Sequence, residues 1–123
     1  MSASLTVYHY PGCSTCRKAR KWLDAHEVAY RAVHIVDAPP SAATLERLIE
    51  ASGLPLKRFF NTSGQSYRNG GWKARVGAMD TASAAAALAA DGKLIKRPLV
   101  DAGGKVLVGF QEESWAATLG TES

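Results

Sequence analysis

Residues 7–23, which read VYHYPGCSTCRKARKWL, contain both cysteines of the chain. The run Leu5–Tyr8 at their start is short, β-branched and aromatic, which predicts a buried strand. Pro11-Gly12 then breaks the strand and turns the chain. The residues that follow place apolar side chains on one helical face and cations on the others. The stretch therefore predicts a strand, a turn and a helix, with Cys13 at the helix start and Cys16 one turn further in.

The position of Cys13 gives its thiol a physical reason to be reactive. A thiolate at a helix N-terminus faces unpaired backbone N–H groups and the positive end of the helix dipole. Arg17 and Lys18 add positive potential nearby, and both effects favour the nucleophilic thiolate. Cys13 is the more exposed candidate for attack, and Cys16 is placed to attack a mixed disulfide on Cys13 and release the partner. The pattern predicts a two-cysteine redox centre.

Two other uses of the cysteines fit the sequence less well. Two cysteines alone cannot close a tetrahedral zinc site, and His9, His26 and His34 show no ligand spacing. A pair of inert buried thiols is the other alternative, since free cysteine is often a core residue. A C-x-x-C motif between a strand and a helix argues against inert thiols. We therefore expect redox chemistry and no bound metal.

The composition is that of a globular domain with a moderate positive charge. The 123 residues are 46% hydrophobic and 21% charged, with a formal net charge of +4. This length supports one domain with its own core, and the charge excess is too small to indicate nucleic-acid binding on its own. No window approaches a membrane-spanning length, and the first residues lack a signal-peptide pattern. We expect a cytoplasmic protein without membrane partners, where a cysteine pair is catalytic or redox-sensing.

The remaining pattern predicts four strands, with a group of helices between the second and the third. Strands are predicted at 5–8, 28–36, 94–101 and 105–110, with Gly103-Gly104 as a hairpin turn. Helices are predicted at 14–26, from Ser41 to Gly53, at 82–90 and at 111–119, with a short helical turn near 56–60 and a polar loop at 61–66. A helix connects the first two strands, so they should be parallel. The expected fold is α/β, a thioredoxin-like four-stranded mixed sheet (βαβ then ββα) with an all-helical insertion at about 41–92, in a single domain over 1–123.

Arg97-Pro98 stands at the entrance of the third predicted strand. In thioredoxin-like folds the proline at this place is cis and lies against the cysteine pair, and a cis X–Pro bond usually marks a functional turn. This layout places Arg97 close to Cys13. There its guanidinium can stabilise a thiolate or hold an oxyanion or a carboxylate in bidentate fashion. The alternative is a surface arginine beside an edge-strand proline.

On these features the chain resembles the arsenate reductase family of thioredoxin-fold proteins, which includes the Spx-type transcriptional regulators. The resemblance covers nearly the whole chain and is carried by four ordered motifs. They are YPGCSTCRKA at 10–19, FFNTSG at 59–64 followed by Tyr67-Arg68, LIKRPL at 94–99 and VGF at 108–110. The middle motif is similar to a reductase-like branch suspected of glutathione-dependent thiol reduction.

The resemblance implies roles for individual residues. It makes Cys13 the nucleophile and Arg97 the arginine that helps to bind an oxyanion. The family's two further anion-binding arginines fall on Asn61 and Phe110, which carry no charge, so Arg58 or Arg68 would have to substitute. A tetrahedral dianion normally needs several charge-assisted partners, which weakens the expectation of efficient arsenate binding. The predicted catalytic residues are Cys13, Cys16 and Arg97, and the predicted substrate-binding residues are Pro11, Gly12, Ser14, Thr15, Arg17, Asn61, Arg68 and Pro98.

Two functions follow from this resemblance. The first is a thiol–disulfide oxidoreductase of the arsenate reductase family, in which Cys13 attacks, Cys16 or glutathione resolves, and arsenate is one candidate substrate. It implies no bound cofactor, a small-molecule thiol or oxyanion substrate, and glutathione or a glutaredoxin or thioredoxin system as reductant. The alternative is an Spx-type redox-sensing transcriptional regulator that binds RNA polymerase. The middle motif favours the enzyme, and we expect a monomer that binds no nucleic acid directly.

Overall fold

The structure is a computed structural model that describes residues 5–62 and 64–119. The chain forms two compact units. Within the described residues, the first unit contains residues 5–34 and 97–119, and the second is the segment Ile35–Lys96. The second unit includes the predicted helical insertion. That residues 1–123 form a single domain stays a prediction.

The described residues contain four strands and six α-helices. In chain order these are β1 (Thr6–His9), α1 (Ser14–Ala25), β2 (Arg31–His34), α2 (Ala42–Ser52), α3 (Gln65–Asn69), α4 (Trp72–Val76), α5 (Thr81–Ala90), β3 (Leu99–Asp101), β4 (Val106–Val108) and α6 (Glu112–Leu119). Two 3-10 turns lie at Leu56–Phe59 and Gly92–Leu94. The predicted strands and helices are all present, and the second, third and fourth strands are shorter than predicted. The sequence pattern did not predict α3 and α4.

The four strands form one mixed sheet in the order β2-β1-β3-β4. β1 pairs with β2 in parallel, and β3 pairs antiparallel with both β1 and β4. In this register Val7 stands opposite Ala32 on one side and Val100 on the other, and Val100 stands opposite Leu107. The strands β1 and β2 joined through α1 are the predicted βαβ unit, and β3, β4 and α6 are the predicted ββα unit. The thioredoxin-like fold is therefore confirmed.

The core of the first unit joins the sheet to α1 and α6. Its buried members are Leu5, Val7, Ala19, Leu23, Val100, Leu107 and Trp115. Trp115 is 1% exposed, and its indole Nε1 donates a hydrogen bond to the carbonyl oxygen of Gly109 at 3.0 Å. Ala19 and Leu23 are one turn apart, so a single stripe of α1 is buried. This packing holds the helix that begins at the cysteine loop.

The second unit is built around α2 and α5, which pack against each other. Ser41 begins α2, because its side-chain oxygen accepts a hydrogen bond from the backbone N–H of Thr44 at 3.1 Å. Gly53 ends the helix in the left-handed conformation with φ of 69°. Asp80 begins α5 in the same way, through the backbone N–H of Ser83 at 2.8 Å. Both helix ends of α2 agree with the sequence prediction.

Gly92 lies where two backbone segments of the second unit come together. It is buried, and a Cβ atom at this position would overlap the carbonyl oxygen of Ile35 and lie 2.9 Å from the Cα of Val36. Both neighbours are backbone atoms, so no side-chain rotation relieves the overlap. The sequence pattern predicted Asp91-Gly92 only as the end of α5, and the close approach of the two backbones adds a second reason for the glycine.

Candidate active site

The loop between β1 and α1 presents Cys13 as the N-cap residue of the helix. β1 ends at His9, and the backbone N–H of Cys13 donates to the carbonyl of Tyr10 at 3.0 Å, which closes a turn around Pro11-Gly12. Cys13 is extended, with φ of −94° and ψ of 120°. Its carbonyl accepts a helical hydrogen bond from the backbone N–H of Arg17 at 3.1 Å. The thiol therefore stands at the N-terminal end of α1.

The surroundings of Cys13 favour its thiolate. Burial by itself raises the pKa of this half-buried thiol. The backbone N–H and the thiol of Cys16, the backbone N–H of Thr15 and the positive charge of Arg97 act in the opposite direction and outweigh burial. The pKa of Cys13 is therefore lowered from its ordinary value. A nucleophilic thiolate is available at a lower pH than for a free cysteine.

Cys16 has the opposite character. It is 1% exposed, and the backbone N–H of Tyr10 donates to its sulfur at 3.4 Å. Burial, together with the hydrogen bond and charge that link it to Cys13, raises the pKa of Cys16 to about 12. Both cysteines are free thiols in this structure. The pair thus consists of a half-buried thiol whose pKa is lowered and a buried thiol whose pKa is raised, so Cys13 is the one that ionises first.

Arg97 supplies positive charge to both cysteines. Its guanidinium carbon lies 5.0 Å from the centre of the Tyr10 ring, a cation–π arrangement. Its charge lowers the pKa of Cys13 and also acts to lower the pKa of Cys16. The peptide bond between Arg97 and Pro98 is cis, and Pro98 is buried. The structure therefore brings Arg97 and the two cysteines together at one place in the first unit.

The remaining predicted residues of the first unit belong to the loop and the first turn of α1. Pro11, Gly12, Ser14 and Thr15 are exposed. Arg17 is also exposed, and its Nη1 donates to the carbonyl oxygen of Pro11 at 2.9 Å. Arg17 thus ties the loop to the helix. A direct contact of Arg17 with substrate stays a prediction.

Asn61 and Arg68 lie in the second unit, so their part in the site stays a prediction. The backbone N–H of Asn61 donates to the carbonyl of Leu94 at 2.8 Å, and Nη2 of Arg68 donates to Oε1 of Gln65 at 2.8 Å. Phe110, the other position expected to lack an anion-binding arginine, lies in the first unit. Its ring packs edge-on against Trp115, with centroids 4.9 Å apart.

Sequence reasoning missed a group of rings that continues from Arg97. The Tyr10 ring meets the His34 ring edge-on, with ring centroids 5.7 Å apart. The ring centroids of His34 and His9 are 6.3 Å apart. His9 is 7% exposed, and its Nδ1 has no hydrogen-bond partner among residues 5–62 and 64–119. Burial, then the charges of Arg20 and His34, lower the pKa of His9. His9 stands opposite His34 in the pairing of β1 with β2, and the sequence has no local signal for this register.

Neither a metal cluster nor a membrane helix is present among residues 5–62 and 64–119. No group of three or more histidine, cysteine, aspartate or glutamate side chains is arranged to hold a metal ion there. None of the helices in the same ranges is long and apolar enough to cross a membrane.

The two thiols should react with iodoacetamide over different pH ranges. In reduced protein, alkylation of Cys13 should rise with pH through a midpoint below about 8.5, the value of an ordinary thiol, because its thiolate is stabilised. In the matched variant Cys13→Ser, Cys16 should react only at a pH above that of an ordinary thiol, because burial, the largest cause of its raised pKa, is still present. Mass spectrometry at each pH measures the extent of alkylation of Cys13 in the unchanged protein and of Cys16 in the variant. An ordinary midpoint for Cys13, or rapid alkylation of Cys16 near neutral pH, would contradict the assigned roles.

The fold and the thiol pair define a thioredoxin-like protein with two cysteines in the loop before α1, and comparison with known proteins assigns its family. The profile of the ArsC family matches residues 8–118, so the chain belongs to the ArsC family. The chain is 50% identical over 117 residues to the uncharacterised protein YusI of Bacillus subtilis (strain 168), a match that covers 92% of this chain and 99% of YusI.

A solved structure and a regulator show the range of the family. The crystal structure of a possible arsenate reductase from Streptococcus mutans UA159 is similar with a TM-score of 0.85 and 47% identity, covering 91% of this chain and 97% of that one. The global transcriptional regulator Spx of Streptococcus agalactiae is 25% identical, covering 94% of this chain and 82% of Spx. The chain therefore belongs to a family of thiol-based reductases whose relatives include transcriptional regulators.

Proposed function

We propose that this protein is a thiol–disulfide oxidoreductase with Cys13 as nucleophile and Cys16 or glutathione as resolving thiol. The observation that carries the proposal is the pair of unlike thiols at the start of α1. Cys13 is half-buried at the N-cap, and Cys16 is buried one turn further in. A nucleophile must reach a substrate, whereas a resolving thiol has only to reach the first sulfur. The two positions suit these two tasks.

In the first step the Cys13 thiolate attacks one sulfur of a substrate disulfide. The Cys13–substrate S–S bond forms, the substrate S–S bond breaks, and the other half leaves as a thiolate that takes a proton from solvent. The N-terminal N–H groups of α1 and the charge of Arg97 stabilise the Cys13 thiolate before attack.

In the second step Cys16 or glutathione attacks the sulfur of Cys13. With Cys16 as the attacking thiol, its proton passes to the departing substrate thiolate, the Cys13–Cys16 bond forms, and the substrate leaves fully reduced. Two glutathione molecules, or a glutaredoxin or thioredoxin, then return the pair to two thiols and become a disulfide themselves. The substrate gains two electrons and the reductant loses two. No bound cofactor is needed for this cycle, and the cytoplasm supplies the reductants.

Arsenate is a second candidate substrate. Its reduction to arsenite takes two electrons, which Cys13 and one further thiol supply as they form a disulfide, and the oxygen that arsenic loses leaves as water with the two thiol protons. Arg97 offers one cationic contact for the oxyanion. Asn61 and Phe110 stand where the family carries further arginines, and the Phe110 ring packs against Trp115. With fewer cations available, we expect arsenate to be a weaker substrate than a small disulfide.

A redox-sensing regulator is the alternative function. The similarity to Spx and the presence of two free cysteines three residues apart support it. In that case the disulfide state of Cys13 and Cys16 would control docking to RNA polymerase. The regulator needs no substrate turnover, and this difference separates the two functions experimentally.

Steady-state turnover tests the proposal. Purified protein is supplied with glutathione, glutaredoxin, glutathione reductase and NADPH, and receives either a glutathione mixed disulfide or arsenate, with NADPH consumption as the readout. The disulfide should be turned over well above the rate without the protein, and arsenate more slowly. The variant Arg97→Gln should lose at least about tenfold on arsenate, because it removes a charge-assisted contact, and less on the disulfide.

Each outcome of this assay has a defined meaning. Turnover of the disulfide supports the general thiol reductase, and turnover of arsenate at an equal rate would contradict the expected substrate order. Absence of both activities, together with a reversible Cys13–Cys16 disulfide, would overturn the enzyme in favour of the regulator.

A further inference from the structure

A cavity of about 410 Å³ opens on the second unit, in a part of the chain that the thiol chemistry does not use. Its lining consists of Pro55, Lys57, Arg58, Phe60, Thr62 and Lys96. Three of these six residues are cations, and no carboxylate is among them. The volume falls within the usual range for pockets that bind small molecules, roughly 300–1,000 Å³.

The 3-10 turn Leu56–Phe59 places two of the cations. The backbone N–H of Arg58 donates to the carbonyl of Pro55 at 3.0 Å, and that of Phe60 donates to the carbonyl of Lys57 at 3.1 Å. These bonds turn the chain tightly, so Lys57 and Arg58 follow Pro55 at one edge of the cavity. Both side chains are exposed.

A short β-bridge brings the third cation to the same cavity. Phe60 pairs antiparallel with Ile95, and the backbone N–H of Lys96 donates to the carbonyl of Phe59 at 2.9 Å. Lys96 is thereby held beside the 3-10 turn. Two segments distant in sequence thus form the cavity through backbone hydrogen bonds, which keep its shape without a ligand.

Two further residues complete the lining of the cavity. Pro55 is exposed and contributes apolar surface, and Thr62 adds a hydroxyl that can donate or accept a hydrogen bond. Phe60 is 1% exposed, and its ring centroid lies 6.2 Å from that of Tyr67 and 5.9 Å from that of Trp72, so it supports the lining from within the unit. The lining therefore combines apolar surface with positive charge.

A solvated group of cations is the simple alternative, and two features argue against it. Like charges that line one cavity repel each other, and no acidic side chain in its lining offsets them. Exposed cations on a convex surface would lie further apart. A concave site with three cations and apolar surface in its lining suits a ligand that carries several negative charges on an organic body.

We propose that this cavity binds a small organic polyanion, with its phosphate or carboxylate groups on Lys57, Arg58 and Lys96 and its less polar part against Pro55. The site goes beyond the proposed reductase activity, because none of its residues takes part in thiol exchange. Three cationic side chains can form ionic contacts with two or more negative charges of a ligand, so a ligand with a single negative charge should bind weakly. The ligand class includes nucleoside diphosphates and tricarboxylates.

Titrations followed by ¹⁵N–¹H NMR spectra of the reduced full chain test the site with three probes, ADP, citrate and inorganic pyrophosphate. ADP or citrate should produce saturable shifts at the amides of Arg58, Phe60 and Lys96. Tighter binding of ADP would show that the cavity prefers phosphate groups, and tighter binding of citrate would show that it prefers carboxylates. Pyrophosphate carries the charge without the organic body and should bind more weakly than ADP. Binding should also weaken as the salt concentration rises, because the contacts are ionic.

Charge-removing variants separate the cavity from general electrostatic attraction. Lys57→Gln and Lys96→Gln should each weaken binding by about three- to tenfold, because each removes one ionic contact. Lys105→Gln is the matched control, since Lys105 is exposed and belongs to the first unit. It should change affinity by less than about twofold.

Three results would overturn the proposal. They are an absence of saturable shifts with all three probes, an equal loss of affinity in Lys105→Gln, and binding of pyrophosphate as tight as that of ADP and citrate. The last would mean that the cavity attracts charge but does not recognise an organic body. Loss of thiol turnover in the reductase assay would leave these titrations unaffected, so the two proposals can fail separately.

Discussion

Replacing Cys13 by serine is expected to lower disulfide turnover by about 10³-fold or more, to the rate seen without the protein. A serine hydroxyl does not ionise near neutral pH, so the N–H groups of α1 and Arg97 would have no anion to stabilise. The NADPH-coupled assay measures the loss. Full activity in Cys13→Ser would contradict the assignment of the nucleophile, whatever the substrate is.

The variant Cys16→Ser is the matched control, because it makes the same substitution one turn further along α1. Cys13 keeps its position at the N-cap and can still form a mixed disulfide. We expect this variant either to accumulate that mixed disulfide or to turn over only when glutathione resolves it. Mass spectrometry of the protein after one addition of substrate distinguishes the two. A loss as complete as in Cys13→Ser, without a trapped species, would contradict the division of roles.

Replacing Gly92 by alanine is expected to reduce the free energy of unfolding by about 2–4 kcal/mol, since the added Cβ forces backbone atoms apart. The Cβ would overlap the carbonyl oxygen of Ile35 and lie 2.9 Å from the Cα of Val36, and neither backbone can move without disturbing its neighbours. Urea unfolding followed by circular dichroism measures the change.

Gly77→Ala is the control for this prediction. Gly77 is exposed and has helical φ and ψ of −64° and −19°. Apart from its two chain neighbours, no described residue has a heavy atom within 4 Å of the position its Cβ would take. Alanine there should leave stability unchanged or raise it by about 0.4–1 kcal/mol, because it restricts the unfolded chain. Equal effects at the two glycines would show that the approach of Ile35 to Gly92 is not tight in solution.

The sheet and the long helices could be predicted because their signals are local. The turn at Pro11-Gly12, the N-cap Ser41 and the left-handed Gly53 each mark a helix or strand boundary within a few residues. The five-residue helices α3 and α4 have no such signal. They are separated by Gly70-Gly71 and are too short to show a helical period.

The second, third and fourth strands are shorter than predicted, and for β2 and β3 the cause is a backbone feature that the hydrophobic pattern does not show. Before β2, Glu27 has a φ of 56° and the backbone N–H of Val28 donates to the carbonyl of Leu23 at 2.9 Å, so the chain is still completing the end of α1. Before β3, Pro98 has no N–H to donate to a ladder, and the strand begins only at Leu99. Both limits depend on backbone geometry that apolar alternation does not reveal.

The candidate site likewise has residues that the sequence could predict and residues that it could not. Cys13 and Cys16 could be located from one motif, because spacing along a helix determines which thiol is buried. The ring group of His9, Tyr10 and His34 depends on the pairing of β1 with β2, and register is a property of the folded sheet. The roles predicted for Asn61 and Arg68 rest on the family resemblance, and they stay predictions.

The discontinuous first unit has a consequence for how the protein is made on the ribosome. Tyr8 pairs with Leu99, whereas Ile35–Lys96 is one continuous segment that contains both members of its central helix pair. The second unit is therefore fully translated while β1 still lacks one neighbouring strand, and a continuous unit can fold during synthesis. Arg97 also emerges late. A newly made chain is thus expected to carry Cys13 long before it gains the charge that helps to make this thiol reactive.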